Sequence, residues 1–119
     1  MHIEEFREFC LSFNEITEEF PFDENTLVFK VAGKMFALAN VENFQSINLK
    51  CDPEWALQLR EEHPEIKPGY HMSKKHWNTV QVFGDLEDDF LRELIQHSHQ
   101  KVVESMPKKT QIRLGVTPT

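Results

Sequence analysis

A chain of 119 residues with 39% hydrophobic residues and ten phenylalanines has enough apolar material for one core and no room for several, and 28% charged residues is ordinary for a water-facing surface. This balance excludes a disordered chain, and only two cysteines, Cys10 and Cys51, exclude a disulfide scaffold. The formal charge of -7 is concentrated at one end: residues 1–25 hold Glu4, Glu5, Glu8, Glu15, Glu18, Glu19, Asp23 and Glu24 against Arg7 alone, and residues 26–119 are neutral.

Ile3, Phe6, Phe9, Cys10 and Phe13 recur at helical spacing and predict an amphipathic helix over 2–15, with Glu4 and Glu5 in the first turn where the helix dipole favours acids. Pro21 ends the apolar stretch that follows Ile16. Alternation over 26–31 and 34–39 around Ala32-Gly33 predicts a β-hairpin. A third strand is predicted from Phe44 to Lys50. Asp52-Pro53 then announces a helix, with Asp52 as its cap, Pro53 in its first turn, Trp55, Ala56 and Leu59 facing inward, and Pro64 beyond its end. Lys67-Pro68-Gly69 reads as a turn, and Thr79 to Phe83 as a strand. After Gly84, Asp85 is the expected cap of the longest helix, in which Phe90, Leu91, Leu94, Ile95, Ser98 and Val102 face inward. Pro107 closes it.

These elements predict an α+β fold, a small antiparallel sheet with helices packed on one face. One domain is expected over 1–107, followed by a basic tail at 108–119 with little to bury. The first residues carry glutamates where a secretory signal would carry a basic segment, and no apolar run reaches bilayer-spanning length. A cytoplasmic chain with no membrane contact is expected.

Residues 66–84 contain Lys67, Lys74 and Lys75 without an acid, together with Tyr70, His71, His76 and Trp77. Lysines of this kind neutralise phosphates, and exposed rings stack on unpaired bases or wedge into a groove. The plainer reading is a solvated loop with Trp77 in the core. Lys30, Lys34 and Lys50 extend the basic set across the sheet, or keep strand edges from pairing with other molecules.

The remaining clusters are weaker in type. The six histidines fit no usual ligand spacing, and His97 and His99, about 200° apart on one helix, read as solvated. Acids of residues 4–24 match no calcium loop. Cys51 or Ser73 beside His76 lacks an activated-nucleophile motif, and the four glycines make no phosphate loop. No catalytic group, metal or cofactor is expected.

Lys34-Met35-Phe36-Ala37-Leu38, Leu49-Lys50-Cys51-Asp52-Pro53-Glu54, and Lys67-Pro68-Gly69-Tyr70-His71-Met72 leading to Lys75-His76-Trp77 together resemble the MmcQ/YjbR family. The likeness continues through Trp77-Asn78-Thr79-Val80, the Leu86 to Leu94 helix and Pro107-Lys108-Lys109. The resemblance implies a frataxin-like fold with protruding hairpins described as a double wing, and from those wings a DNA-binding role. DNA is the partner it implies, with Lys30, Lys34, Lys50, Lys67, Tyr70, His71, Lys74, Lys75 and His76 as candidate contacts. Frataxin-like folds also imply a runner-up, a cation- or protein-binding surface using Glu4, Glu5, Glu8, Glu18 and Glu19. An unrecognised enzyme with a pocket near His71, His76 and Trp77 is the third reading.

Overall fold

The computed structural model describes residues 1–116. Helix α1 (Ile3–Leu11) is shorter than the periodicity predicts, because the chain turns at Ser12–Glu15 to enter a strand, β1 (Ile16–Glu19). Strands β2 (Thr26–Val31), β3 (Lys34–Asn40) and β4 (Ser46–Lys50) follow, then helix α2 (Pro53–Glu62) and strands β5 (Ile66–Pro68) and β6 (Trp77–Gln81). Helices α3 (Asp88–Glu104) and α4 (Lys108–Arg113) complete the order.

The six strands form one antiparallel sheet in the order β1-β2-β3-β4-β6-β5. The expected α+β class is therefore what the chain adopts. The β2–β3 hairpin turns at Ala32 and Gly33, both with positive φ (46° and 86°), the geometry that matches the right-handed twist of the flanking strands. At α2, Asp52 accepts from the Trp55 N–H at 3.1 Å and Pro53 occupies the first turn, as predicted.

Every helix contributes to the same core. Phe6 and Cys10 of α1, Ala56 and Leu59 of α2, Leu91, Ile95 and Val102 of α3, and Leu114 after α4 pack with Phe29, Ile47, Leu49 and Val80 of the sheet. A β-bulge interrupts the β2–β3 register after Phe29: Phe29 faces Ala37 while Lys30 faces Met35, so Phe36 is the extra residue and turns into the core. Ser98 of α3 ties this irregularity down. Its hydroxyl donates to the Phe36 carbonyl at 2.5 Å and accepts from the Lys50 N–H at 2.8 Å, bridging β3 and β4.

Beyond the shorter α1 and a sixth strand that runs Trp77–Gln81 rather than Thr79 to Phe83, four expectations change. The longest helix starts at Asp88 after Glu87, not at Asp85, because residues 84–86 bend before the chain can enter the helix. Lys67-Pro68 lies in strand β5, paired with β6, rather than in a turn; an edge strand needs no N–H from proline on its outer side. The segment from Lys108, expected to bury little, forms α4 and buries Gln111 and Leu114, with Gln111 Nε2 donating to the Met106 carbonyl at 2.8 Å. Residues 117–119 of that expected tail lie outside the described residues. His97 and His99 are not solvated. His99 is buried and stacks on Phe13 with ring centroids 4.2 Å apart, and His97 Nε2 accepts from the Asp52 N–H at 3.0 Å.

Candidate functional site: the open face of the sheet

With all four helices on one side, alternation sends Thr26, Val28, Lys30, Met35, Leu38, Ser46, Asn48, Lys50, Trp77 and Thr79 to the other face. No helix covers it among the described residues. Part of it is protected by a second small cluster, in which Val28, Leu38 and Trp77 are buried and Met35 and Met72 pack against them. Trp77 is thus a core residue, following the plainer of its two readings, and is not available as a stacking ring.

Beside that cluster lies a groove of about 550 Å³. Its floor is Leu38, Asn40, Ser46, Asn48 and Thr79; one wall is Tyr70, His71 and Met72, the other Phe22 and Asp23. Two aromatic rings stand at its rim, Tyr70 at 71% and Phe22 at 64% exposure. A second groove of about 250 Å³, lined by Gln45, Ser46, Glu65, Lys67, Thr79, Gln81 and Phe83, shares Ser46 and Thr79 with the first. The two make one track across the sheet. Phe83, also exposed, stands at its far end.

Both walls are held in place. Asp23 accepts from the N–H groups of Asn25 (2.9 Å) and Thr26 (2.7 Å) and from the Thr26 hydroxyl (3.1 Å), which keeps its carboxyl below the usual range. Opposite, the Tyr70 N–H donates to Thr79 Oγ1 at 3.0 Å, and Thr79 Oγ1 donates to Asn48 Oδ1 at 2.6 Å. His71 has φ +59°, a left-handed conformation that carries strain in a non-glycine residue, and its ring lies 4.0 Å from that of Tyr70. Arg60 of α2 pins the base of this loop: Nε donates to Asn78 Oδ1 at 2.6 Å, and Nη2 to the carbonyls of Trp77 (3.2 Å) and Lys74.

The candidate contacts divide between surfaces. Lys67 lines the track, and Lys74 and Lys75 are exposed on the Tyr70 loop. Lys50, opposite Trp77, is half-buried on the open face. Lys30 shares that face but is paired with Glu19 at 3.3 Å. Lys34 reaches away from it, to Ser105 Oγ at the end of α3, 3.4 Å away. His71 belongs to the groove, whereas His76 is half-buried, and its carbonyl accepts from the Cys51 N–H at 2.8 Å. Cys51 is buried, which pushes its thiol up to about 12, opposite to what an activated nucleophile needs.

Four of the eight early acids, Glu5, Glu15, Glu18 and Glu19, are engaged with bases. Arg7 meets Glu18 at 2.6 Å and holds its carboxyl below the usual range, Arg113 meets Glu15 at 2.7 Å, and Arg92 approaches Glu5 at 3.8 Å. Among the described residues, no three histidine, cysteine, aspartate or glutamate side chains gather as a metal site would require, and no helix is long and apolar enough to cross a membrane.

Sequence reasoning missed the floor of the groove. Asn40, Ser46, Asn48 and Thr79 were visible only as the polar half of strand alternation, which reads as a solvated face. The available signal was their type: they are uncharged hydrogen-bonding residues on a face where solvated strands usually carry charge.

Comparison with known proteins agrees with this architecture. The chain is 41% identical over 95 residues to the uncharacterised protein YbdF of Escherichia coli O157:H7, covering 79% of this chain and 78% of that one. It is 32% identical over 110 residues to the uncharacterised protein YjbR of Escherichia coli K12, covering 92% and 93%. The crystal structure of Deinococcus radiodurans protein DR2400, domain DUF419, superposes with a TM-score of 0.90 at 36% identity, over 98% of this chain and 90% of that one. A Pseudomonas syringae protein superposes at 0.72 and 28% identity, over 85% and 98%. The YjbR family model matches residues 11–101, and with these relatives it shows that the chain belongs to the YjbR family.

Proposed function

We propose that this protein is a DNA-contacting binding module that takes a single strand across the open face of its sheet. One observation carries the reading: a continuous track on a helix-free sheet face, with the exposed rings Phe22, Tyr70 and Phe83 along it. Exposed rings on an open sheet stack unpaired bases at about 1–3 kcal/mol per base, with little regard for sequence. A duplex keeps its bases stacked inside and gains nothing from such rings. Lys67, Lys74 and Lys75, with Lys50 behind them, supply the positive charge that positions a phosphate backbone without reading bases. The acidic helix α1 packs on the opposite side of the sheet, through Phe6 against Phe29, so its glutamates do not oppose a strand lying on the open face.

The test is fluorescence anisotropy of a labelled single strand and a labelled duplex of equal length, titrated at low and near-physiological salt. Single-strand binding that weakens with salt, and that Tyr70→Ala and Lys74→Glu/Lys75→Glu each reduce, is the expected result. Duplex binding that ignores Tyr70 would move the contact away from the groove. No binding of either at low salt would end the DNA reading.

A further inference from the structure

The floor of the 550 Å³ groove is chemically one-sided. Both amides on it have their oxygens already engaged. Asn40 Oδ1 accepts the N–H groups of Glu42 and Asn43, each at 2.9 Å, which fixes the amide so that its NH2 points elsewhere. Asn48 Oδ1 accepts from Thr79 Oγ1, and the 2.6 Å separation is that of an O–H···O bond, not of an amide N–H to a hydroxyl. Thr79 can act as that donor because its own oxygen receives the Tyr70 N–H at 3.0 Å. The relay therefore runs from the loop backbone through Thr79 to Asn48, and it leaves Asn48 Nδ2 as a donor. Leu38 pairs with Asn48 across β3 and β4, and Asn40 lies two residues beyond Leu38, so both amides are on this face and both line the same groove.

Two oriented NH2 groups, the Ser46 hydroxyl near them, an apolar end at Leu38 and Met35, and an aromatic ring at the rim define a ligand. It is flat, and it carries carbonyl oxygens rather than amino groups on the edge that points down. We infer that the groove is a pocket for a pyrimidine ring of the thymine or uracil type, with its two carbonyl oxygens toward Asn40 and Asn48, the ring N–H between them toward the Ser46 hydroxyl, and Tyr70 at its face. Adenine fits the same donors less well, because the corresponding edge offers an amino group and a C–H with only the ring N1 as acceptor, so at least one of the two amide donors goes without a partner. The ring can come as a free nucleoside or as one unpaired base of a strand; the second source rests on the single-strand reading above, and the first does not.

The experiment separates the two. Thymidine and adenosine are titrated into the full chain, followed by the side-chain amide resonances of Asn40 and Asn48, and oligo-dT and oligo-dA of equal length are compared by anisotropy. Thymidine should shift both amides with saturation, with adenosine at least threefold weaker. Asn48→Asp keeps the bond from Thr79 and removes the donor, so it should abolish the thymidine shifts while the far-ultraviolet circular dichroism stays unchanged. Asn40→Asp tests the other donor in the same way. Thymidine capture without oligomer binding supports the pocket and overturns the strand reading. Oligomers that bind with no base preference, while neither nucleoside touches the two amides, overturn the pocket and leave the strand reading standing. Equal shifts from both nucleosides also overturn it.

Discussion

His97 can accept the Asp52 N–H only while Nε2 is unprotonated, so the joint between α3 and the start of α2 depends on the neutral ring. Burial first, and then the nearby Lys101, hold His97 below its ordinary 6.5, and burial does the same to His99, whose Nε2 has no hydrogen-bond partner among the described residues. The folded protein therefore binds these two protons less readily than the unfolded chain. Their contribution to stability is complete above 6.5, is lost as the pH falls from 6.5 toward the lower folded values, and is constant below them. The urea midpoint should fall as the pH drops below 6.5, and a His97→Gln/His99→Phe variant should flatten that part of the curve; an unchanged slope would assign it to carboxylates instead. Gly69 illustrates a steric requirement at the same scale. A Cβ there would lie 2.8 Å from Trp77 Cβ and 3.0 Å from its carbonyl oxygen, part of a backbone that β6 holds in place. Gly69→Ala should cost about 1–3 kcal/mol by denaturant unfolding, the usual range for overpacking.

At the scale of elements, the β2–β3 turn holds a residue that its geometry does not favour. Ala32 sits at φ 46° in a two-residue turn where asparagine before glycine is preferred, and Ala32→Asn should raise stability by about 0.5–1 kcal/mol. Ser98 has the opposite character: Ser98→Ala strands the Phe36 carbonyl and the Lys50 N–H beneath α3, and should cost about 1–3 kcal/mol per unpaired group. Differential unfolding of the two variants reads both signs in one series. The hairpin, the Asp52 cap and the inward stripe of α3 were legible because each rests on neighbours within a few residues. Strand β1 was not, because Ile16 is its one large apolar side chain and Glu18 and Glu19 carry no strand signal; its partners Val28 to Val31 exist only once the sheet forms. The inward position of Ser98 was legible from periodicity, its task at the bulge was not, since nothing in a string of alternating residues announces that Phe36 is the extra one. Plain alternation beside the turn divides the lysines: Lys30 pairs with Met35 on the open face, whereas Lys34 pairs with the core residue Val31 and reaches α3, although the two are close in sequence.

For the whole molecule, the charge of -7 and the proposed strand on the open face make a quantitative demand. On the open face Lys30 is already matched by Glu19, so the lysines left there to meet phosphates are few: Lys67, Lys74 and Lys75, with Lys50 half-buried behind them. Each phosphate neutralised on a single strand contributes a slope of about -0.7 to the logarithm of affinity against the logarithm of salt, so about three contacts give a slope near -2. Stacking on Tyr70 and Phe22 is not screened in this way and sets the affinity that persists at high salt. Glu19→Gln removes the partner of Lys30 on the same face and should steepen the slope by roughly one contact while raising low-salt affinity, whereas Glu5→Gln, on the helix side, should change neither. A slope near -6, or equal responses to the two substitutions, would mean that the strand follows a path other than the track between Phe22 and Phe83.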